Sequence, residues 1–408
     1  LKLTGVGADI CFIDLDDFKP VNDNSGHADG DRLLHALGER IQAVFGPHAF
    51  VSRFGGDEFA AVLVDGESGP GLDPYEGLRQ ALREPFPLSE AEAQMTVSIG
   101  VARFPEHGSE IDSLMRSADA AMYAAKSLGK NQVVLFSDEL QADITARQQV
   151  RSKLRRALDD GEIELWFQPK VHAHSHALVG CEALARWRTP GGEYIPPNRF
   201  IPVAEQTGLI SLLGNRVFQL AAEQAVCWRA SGFDIQIAVN VSPLQLRHPR
   251  FIEQLQQILE QTAAKPSWFE LEITENAVME DVNHAVAVMD ELTQLGFRIA
   301  IDDFGTGYSS LSYLKNFNIH TLKIDLSFVR DLICDQHSDA IVRSIISLGS
   351  GLDLTLVAEG VETEQQASFL RNAGCDILQG YLIGKPMPYQ QLEQWLQTRS
   401  NPSVVSSG

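Results

Sequence analysis

The sequence predicts an α/β protein of two domains, an α/β sandwich in front and a modified (β/α)8 barrel with one antiparallel strand behind. Three observations carry this expectation. Over residues 8–136, short apolar runs alternate with helical patterns in the order β-α-β-β-α-β. Strand then repeats with long helix over about 240 residues, the length that such a barrel needs. Between the two lies a polar, helix-prone stretch (SDELQADITARQQVRSKLRRALDD) rather than a Gly/Ser linker.

In the front domain, ADICFIDLDDF reads as a buried strand and DRLLHALGERIQAVF as an amphipathic helix. AFVSRF and EFAAVLV are two strands flanking a tight Gly55-Gly56 turn. A helix near 74–84, the strand MTVSIGVARF, the helix IDSLMRSADAAMYAAKSLG and the strand NQVVLF complete it. The expected boundaries are 1–137 for this domain, 138–158 for the connecting helix, 159–400 for the barrel and 401–408 for a loose polar tail. Eight barrel strands are expected: ELWFQPKV, ALVGCEALARW, IQIAVNVS, FELEITE, FRIAIDDFG, TLKIDLSF, LTLVAEGV and DILQGY. Only a short turn joins the first two, so that pair should be antiparallel.

Composition narrows the function. With 44% hydrophobic residues the 408-residue chain can bury two sizeable cores. A formal net charge of -21 disfavours a nucleic-acid partner, because a phosphate backbone would be repelled over most of the surface. Cys11, Cys181, Cys227, Cys334 and Cys375 form no C-x-x-C pair, which argues for a reducing, cytoplasmic setting and against a zinc or disulfide framework. No run of about eighteen apolar residues spans a membrane. The sequence begins at Leu1 rather than Met, which leaves open an upstream sensor or inner-membrane anchor.

In a βα barrel the chemistry gathers at the carboxyl ends of the strands. The polar residues expected there are Gln168, Glu182, Asn240, Glu272 with Glu275, Asp302 with Asp303, Lys323 with Asp325, Glu359 and Gln379. Converging carboxylates repel each other unless cations lie between them, and an oxygen-rich set suits Mg²⁺ or Mn²⁺. Two such ions bridged by a carboxylate serve in-line attack on a phosphodiester. Taken singly, Glu-Ala-Leu at 182–184 is a common helical tripeptide, and Asp302-Asp303 could cap a helix. The ordered set at successive strand ends is what favours the functional reading. The alternating His172, His174 and His176 lie in the turn between the first two strands, at the end away from the mouth, where a solvated hairpin is expected.

The motifs CEALARW, NVSPLQL, ELEITE, DDFGTGYSSL, LKIDLSF, AEGVET and ILQGY, in that order, resemble the EAL family of cyclic-di-GMP phosphodiesterases over about residues 150–400. The resemblance implies hydrolysis of cyclic di-GMP to linear pGpG. It implies that Glu182, Asn240, Glu272 and Asp302 hold a first metal, and that Asp302 and Asp303 serve a second. Glu359 and Lys323 would bind and activate the attacking water. Glu275 would anchor the DDFGTG loop, with Gln379 beside it, while Gln168, Arg186 and Asp325 would meet the dinucleotide.

In the front domain RFGGDEF has a logic of its own. Two glycines let the backbone turn and approach a phosphate, and Asp57 and Glu58 follow at the hairpin tip. Asp14 ends the strand CFID, expected next to that hairpin, so two carboxylates on adjacent strands would form a metal cradle. DLDDFKPVNDNSGHADGDRLL, RFGGDEF, VSIGVA and ADAAMYAAKSLGKN resemble the GGDEF family of diguanylate cyclases, with their palm-like sandwich. That resemblance implies metal at Asp14 and Glu58 with help from Asp57, guanine reading by Asn22 and Asp31, and phosphate contacts from Gly55, Gly56, Lys126 and Lys130. It implies GTP with Mg²⁺ as ligand, and a homodimer, because two such domains must meet to make cyclic di-GMP. Gly46-Pro47-His48-Ala49 replaces the inhibitory Arg-x-x-Asp site, so product inhibition there is not expected. Two alternatives stand beside this reading: the front domain as a GTP-sensing regulator only, or the whole chain as a receptor that binds cyclic di-GMP without turning it over.

Overall fold

The computed structural model describes residues 7–18, 26–47, 49–64, 72–88, 92–306, 314 and 317–400. Asn22 and the expected loose tail 401–408 lie outside the described residues. The chain divides into two compact units, Leu1–Gln149 and Val150–Gly408. The division falls within the helix Asp138–Asp159, whose Val150, Leu154 and Ala157 belong to the core of the second unit.

The first unit is built on β1 (Ala8–Asp16), β2 (Phe50–Gly55), β3 (Glu58–Val64), the small hairpin of β4 (Phe86–Pro87) and β5 (Glu92–Ala93), β6 (Thr96–Phe104) and β7 (Val133–Leu135). The main sheet has the order β2-β3-β1-β6-β7, with β1 antiparallel to both β3 and β6. Because β1 is central and covered on both faces, its sequence is a continuous apolar run rather than an alternation. Cys11, Ile13 and Leu15 pack with Leu33, Leu37 and Ile41 of the helix His27–Phe45 and with Leu78 of Asp73–Leu82. Ile10 and Phe12 point the other way, onto Leu114, Ala118 and Met122 of the helix Ile111–Ser127. That helix lies directly on the sheet: a Cβ on Gly100 would fall 2.1 Å from the Ala118 carbonyl oxygen. The hairpin β4/β5 is a feature that the sequence patterns do not announce, since two-residue strands carry no periodicity.

The second unit contains β8 (Ile163–His172), β9 (Leu178–Arg188), β10 (Tyr194–Ile195), β11 (Gln236–Val241), β12 (Phe269–Thr274), β13 (Arg298–Phe304), β14 (Thr321–Ile324), β15 (Thr355–Ala358), β16 (Ile377–Gln379) and β17 (Met387–Pro388). Strands β9-β11-β12-β13-β14-β15-β16-β8 form a barrel closed by the pairing of β8 with β9. Pairings from β9 through β16 are parallel, whereas β8 is antiparallel to both its neighbours. The expected antiparallel strand is therefore the first one. Phe269, Leu271 and Ile273 of β12 join the apolar layer under the surrounding helices. The alternate residues of that strand, Glu270 and Glu272, are also buried. Period two thus separates two buried faces here, an apolar one and a charged barrel interior.

Candidate active site

The charged side chains of the barrel are held by strands whose outward residues are anchored in apolar packing. At the centre is Lys323 of β14, 0% exposed, with Nζ 2.8 Å from Glu272 Oε2, 3.0 Å from Asp302 Oδ2 and 2.6 Å from Glu359 Oε1. Among the described residues, Glu182 forms no ion pair with an ammonium. Its Oε1 accepts from Asn240 Nδ2 at 2.6 Å and its Oε2 from Gln379 Nε2 at 2.6 Å. Gln379 Nε2 also donates to Gln168 Oε1 at 3.1 Å, and Gln168 Nε2 donates to the Gly384 carbonyl at 3.2 Å. The structure thereby makes two neighbouring groups, Lys323 with Glu272, Asp302 and Glu359, and Glu182 with Asn240, Gln379 and Gln168, which feel each other electrostatically.

The placement corrects one expectation. Glu182 and Gln168 are not at strand ends but in the middle of β9 and β8, opposite each other in register. The β8/β9 hairpin overshoots the other strands, so the mouth crosses it halfway along. Arg186 sits on that overhang, half-buried, donating to the Ala185 carbonyl at 2.9 Å with its guanidinium 5.2 Å from the Trp166 ring centroid. Burial lowers its pKa, against the pull of Glu182.

The end of β13 is shaped by backbone geometry. Asp303 has φ of 53°, a left-handed conformation that is costly away from glycine, and its N–H donates to Asp302 Oδ1 at 2.9 Å. Two residues on, the Gly305 N–H donates to Glu275 Oε2 at 2.9 Å, so Glu275 does tie down the start of the DDFGTG loop. Asp325 caps the short helix Leu326–Arg330, accepting from the Ser327 N–H at 2.9 Å and from its hydroxyl.

Electrostatics follow from carboxylates outnumbering ammonium groups in a dry place. Burial would raise Glu272, but Lys170 and Lys323 overcome it and hold the group at about 2. Burial, then Asp302, Glu182 and Glu272, push Glu359 up to about 8 against the pull of Lys323. Burial, then Asp302 and Asp325, raise Asp303 to about 6. Burial and Glu272 raise Glu182, and Lys323 stays charged because its three carboxylates outweigh its burial.

Two charged residues of the interior, Lys170 and Glu270, went unrecognised in the sequence. Lys170 Nζ lies 2.5 Å from Glu272 Oε1 and 3.5 Å from Glu270 Oε2. The available signals were a lysine inside the apolar run ELWFQPKV and the alternation of FELEITE.

The donor set fits a divalent cation. Among the described residues, carboxylate oxygens of Asp302, Asp303 and Glu359 lie within 4.8 Å of one another. These are hard oxygen ligands of the kind that Mg²⁺ and Mn²⁺ take. Gln379 Oε1 is buried there without a hydrogen-bond partner, an acceptor left over in the same network.

In the front unit, Asp14 is level with Glu58 across β1 and β3, as expected, and Asp57 stands in the turn before β3. Lys126 Nζ is 2.7 Å from Asp14 Oδ2. Burial raises Asp14 against that ammonium, with Asp57 and Glu58 adding to the rise. Lys130 Nζ pairs with Asp17 at 2.6 Å on the surface. Gly56 has φ of 54°, and a Cβ on Gly55 would meet nothing within 4 Å, so the turn is open to an approaching group. Asp31 lines a cavity of about 970 Å³ with Leu34, Gly38, Gln42 and Arg53. Asp16, which no motif singled out, accepts from Thr96 Oγ1, Ser98 Oγ and the Asn131 N–H, and so fixes the loop that carries Lys130.

A closed α/β barrel with a lysine clasped by carboxylates, preceded by an α/β sandwich with paired acids at a glycine turn, defines a two-domain α/β protein with an acidic site in each domain. The EAL domain profile matches residues 151–386, and that of "Diguanylate cyclase, GGDEF domain" matches residues 6–132. The chain belongs to the EAL family and carries a GGDEF domain ahead of the barrel. It is similar to the bifunctional diguanylate cyclase/cyclic di-GMP phosphodiesterase MucR of Pseudomonas aeruginosa, 41% identical over 94% of this chain and 56% of that protein. The cyclic di-GMP phosphodiesterase PdeR of Escherichia coli is 36% identical over 95% of this chain and 58% of its own length. A solved structure, the PaMucR phosphodiesterase in complex with c-di-GMP, is 44% identical, covers 60% of this chain and 99% of that one, and superposes with a TM-score of 0.58. The chain spans about half the length of the curated relatives it matches. Among the described residues, no helix is long and apolar enough to cross a membrane.

Proposed function

We propose that the barrel hydrolyses cyclic di-GMP to pGpG, and that the front domain binds GTP. The observation that carries the first reading is the mouth itself: Glu182, Glu272, Asp302, Asp303 and Glu359 around buried Lys323, on a barrel 44% identical to a phosphodiesterase solved with that dinucleotide. A receptor without turnover is disfavoured by the same feature, since mere binding does not require a full set of cation ligands.

In this reading Glu182, Asn240, Glu272 and Asp302 hold one Mg²⁺ or Mn²⁺, and Asp302 and Asp303 serve another. Bound there, the ions supply charge stabilisation of the phosphoryl oxygens and acidify a water. Glu359, paired with Lys323, would accept the proton that the attacking water loses. Lys323 steadies the charge that develops beside it. Gln379 orients Glu182, and Glu275 keeps Asp302 and Asp303 at their stations through the Gly305 N–H. Gln168, Arg186 and Asp325 receive the dinucleotide, with Arg186 as the cationic group for a phosphate or base.

The pairing of Asp14 with Glu58 and the open Gly55-Gly56 turn support GTP with Mg²⁺ as the ligand of the front unit. Asp57 assists there, Asp31 and Asn22 read the guanine, and Lys126 and Lys130 meet the phosphates. Synthesis of cyclic di-GMP from two GTP requires two such domains facing each other, hence a homodimer. The absence of paired cysteines among the described residues supports a reducing, cytoplasmic setting for this segment. The test is incubation with cyclic di-GMP and with GTP separately, each with Mg²⁺, followed by chromatography. Appearance of pGpG supports the barrel reading, and an unchanged dinucleotide refutes it. Cyclic di-GMP formed from GTP would make the front domain a working cyclase, whereas GTP bound but unconverted would leave it a sensor.

A further inference from the structure

We propose that Lys170 is a positioning residue for the cation site: its ammonium holds Glu272 from the Glu270 side of the barrel interior, leaving Lys323 free to yield when a cation enters. The inference rests on the reading of the mouth given above and concerns a residue outside it. Lys170 belongs to β8, the strand that runs against its neighbours, and its side chain is 5% exposed. Glu272 divides its oxygens, Oε1 to Lys170 at 2.5 Å and Oε2 to Lys323 at 2.8 Å. Below Lys170, Glu270 Oε2 lies at 3.5 Å, and Glu270 Oε1 accepts from Thr321 Oγ1 at 2.6 Å. Charges therefore alternate along the barrel interior: Glu270, Lys170, Glu272, Lys323.

The two lysines are not equivalent. Lys323 also contacts Asp302 and Glu359, so a cation drawing on these carboxylates competes directly with it. Lys170 is paired with neither of them and keeps its hold on Glu272 whichever partner the mouth has. Removing it would leave Glu272 buried with Lys323 as its one compensating charge. That tighter pair would oppose cation binding, because separating buried opposite charges is costly. Partners that orient a metal ligand typically change affinity by about 10–100-fold when lost.

The experiment measures Mn²⁺ binding to the metal-free full chain, without substrate, by titration with detection of free Mn²⁺ by electron paramagnetic resonance. Lys170→Met, Glu270→Gln and the double variant are compared with the unaltered chain. The double variant removes one charge of each sign, which protects folding, yet it still lacks the contact with Glu272. It should bind Mn²⁺ about 10–100-fold more weakly, whereas Glu270→Gln alone should bind as the unaltered chain does. Mn²⁺ affinity unchanged in the double variant, or lowered equally by Glu270→Gln, overturns the role of Lys170. Should the Lys170 variants not fold, ¹⁵N-lysine spectra of the unaltered chain decide. The protected Lys170 ammonium signal should shift on Mg²⁺ saturation, and an unmoved signal overturns the proposal. Failure of the unaltered chain to bind Mn²⁺ would instead remove the reading of the mouth, and this inference with it.

Discussion

Glu182 accepts two amide hydrogen bonds and, among the described residues, meets no ammonium, an arrangement that leaves a buried carboxylate short of positive charge. Burial and Glu272 accordingly raise its proton affinity, and a cation is what would complete it. Glu182→Ala should lower hydrolysis by at least ~100-fold, the scale of losing one electrostatic element of a preorganised site. Dinucleotide binding, followed by equilibrium dialysis, should survive, since Arg186 and the groove remain. Full turnover by this variant would remove the barrel-mouth mechanism. The raised acids also make a pH prediction. Asp303 at about 6 and Glu359 at about 8 hold protons in the folded chain that the unfolded chain has already released. Stability of the metal-free protein therefore falls as pH rises from the ordinary carboxylate range through those values. Cation binding needs the charged forms, so it strengthens over the same window. Thermal unfolding at about pH 5.5 and about pH 8, with and without Mg²⁺, checks the sign. The gain in Tm from Mg²⁺ should be larger at the higher pH, and equal gains would contradict it.

At the scale of elements, the critical joint is where β13 ends. Asp303 and Gly305 both take positive φ, 53° and 98°, so the chain leaves the strand through a bend with little freedom. A side-chain acceptor from outside β13 also pins this bend, Glu275 at the start of the helix Glu275–Glu280 that follows β12. Glu275→Ala should leave far-UV circular dichroism unchanged while lowering kcat by about 10–100-fold, because Asp302 and Asp303 lose their fixed stations. Glu275→Gln, which still offers an acceptor to Gly305, should recover part of that loss. Hydrogen exchange at residues 303–306 should quicken in the alanine variant. Wild-type exchange combined with wild-type rate would show that the contact anchors nothing.

For the whole molecule, the question is whether front and rear communicate. The boundary between the two units falls within the helix Asp138–Asp159. Occupancy of the front domain by GTP can alter hydrolysis only if GTP binds the more active arrangement more tightly. GTP should raise the rate of cyclic-di-GMP hydrolysis in the unaltered chain and not in Gly55→Ala/Gly56→Ala. Gly56, at φ of 54°, is where alanine is strained and the turn distorted. GTP that binds yet leaves the rate unchanged would make the front domain an independent cyclase or a passive pairing unit.

Much of this was legible in the sequence because it rests on local pattern. The eight barrel strands, the glycine turn and the antiparallel first hairpin follow from apolar period and turn length, which neighbouring residues fix. The series of acids at strand ends also singled out Glu272, Asp302 and Glu359, which the structure gathers around Lys323. The positions of Glu182 and Gln168 were not, because how far a hairpin overshoots its barrel depends on pairing across the closure. Nor did Lys170 and Glu270 stand out. An alternating strand such as FELEITE ordinarily means one face in water, and only closure of the sheet turns that polar face inward. There the charges have no solvent and must answer one another, and which lysine meets which carboxylate is decided by strands up to a hundred residues apart in the chain.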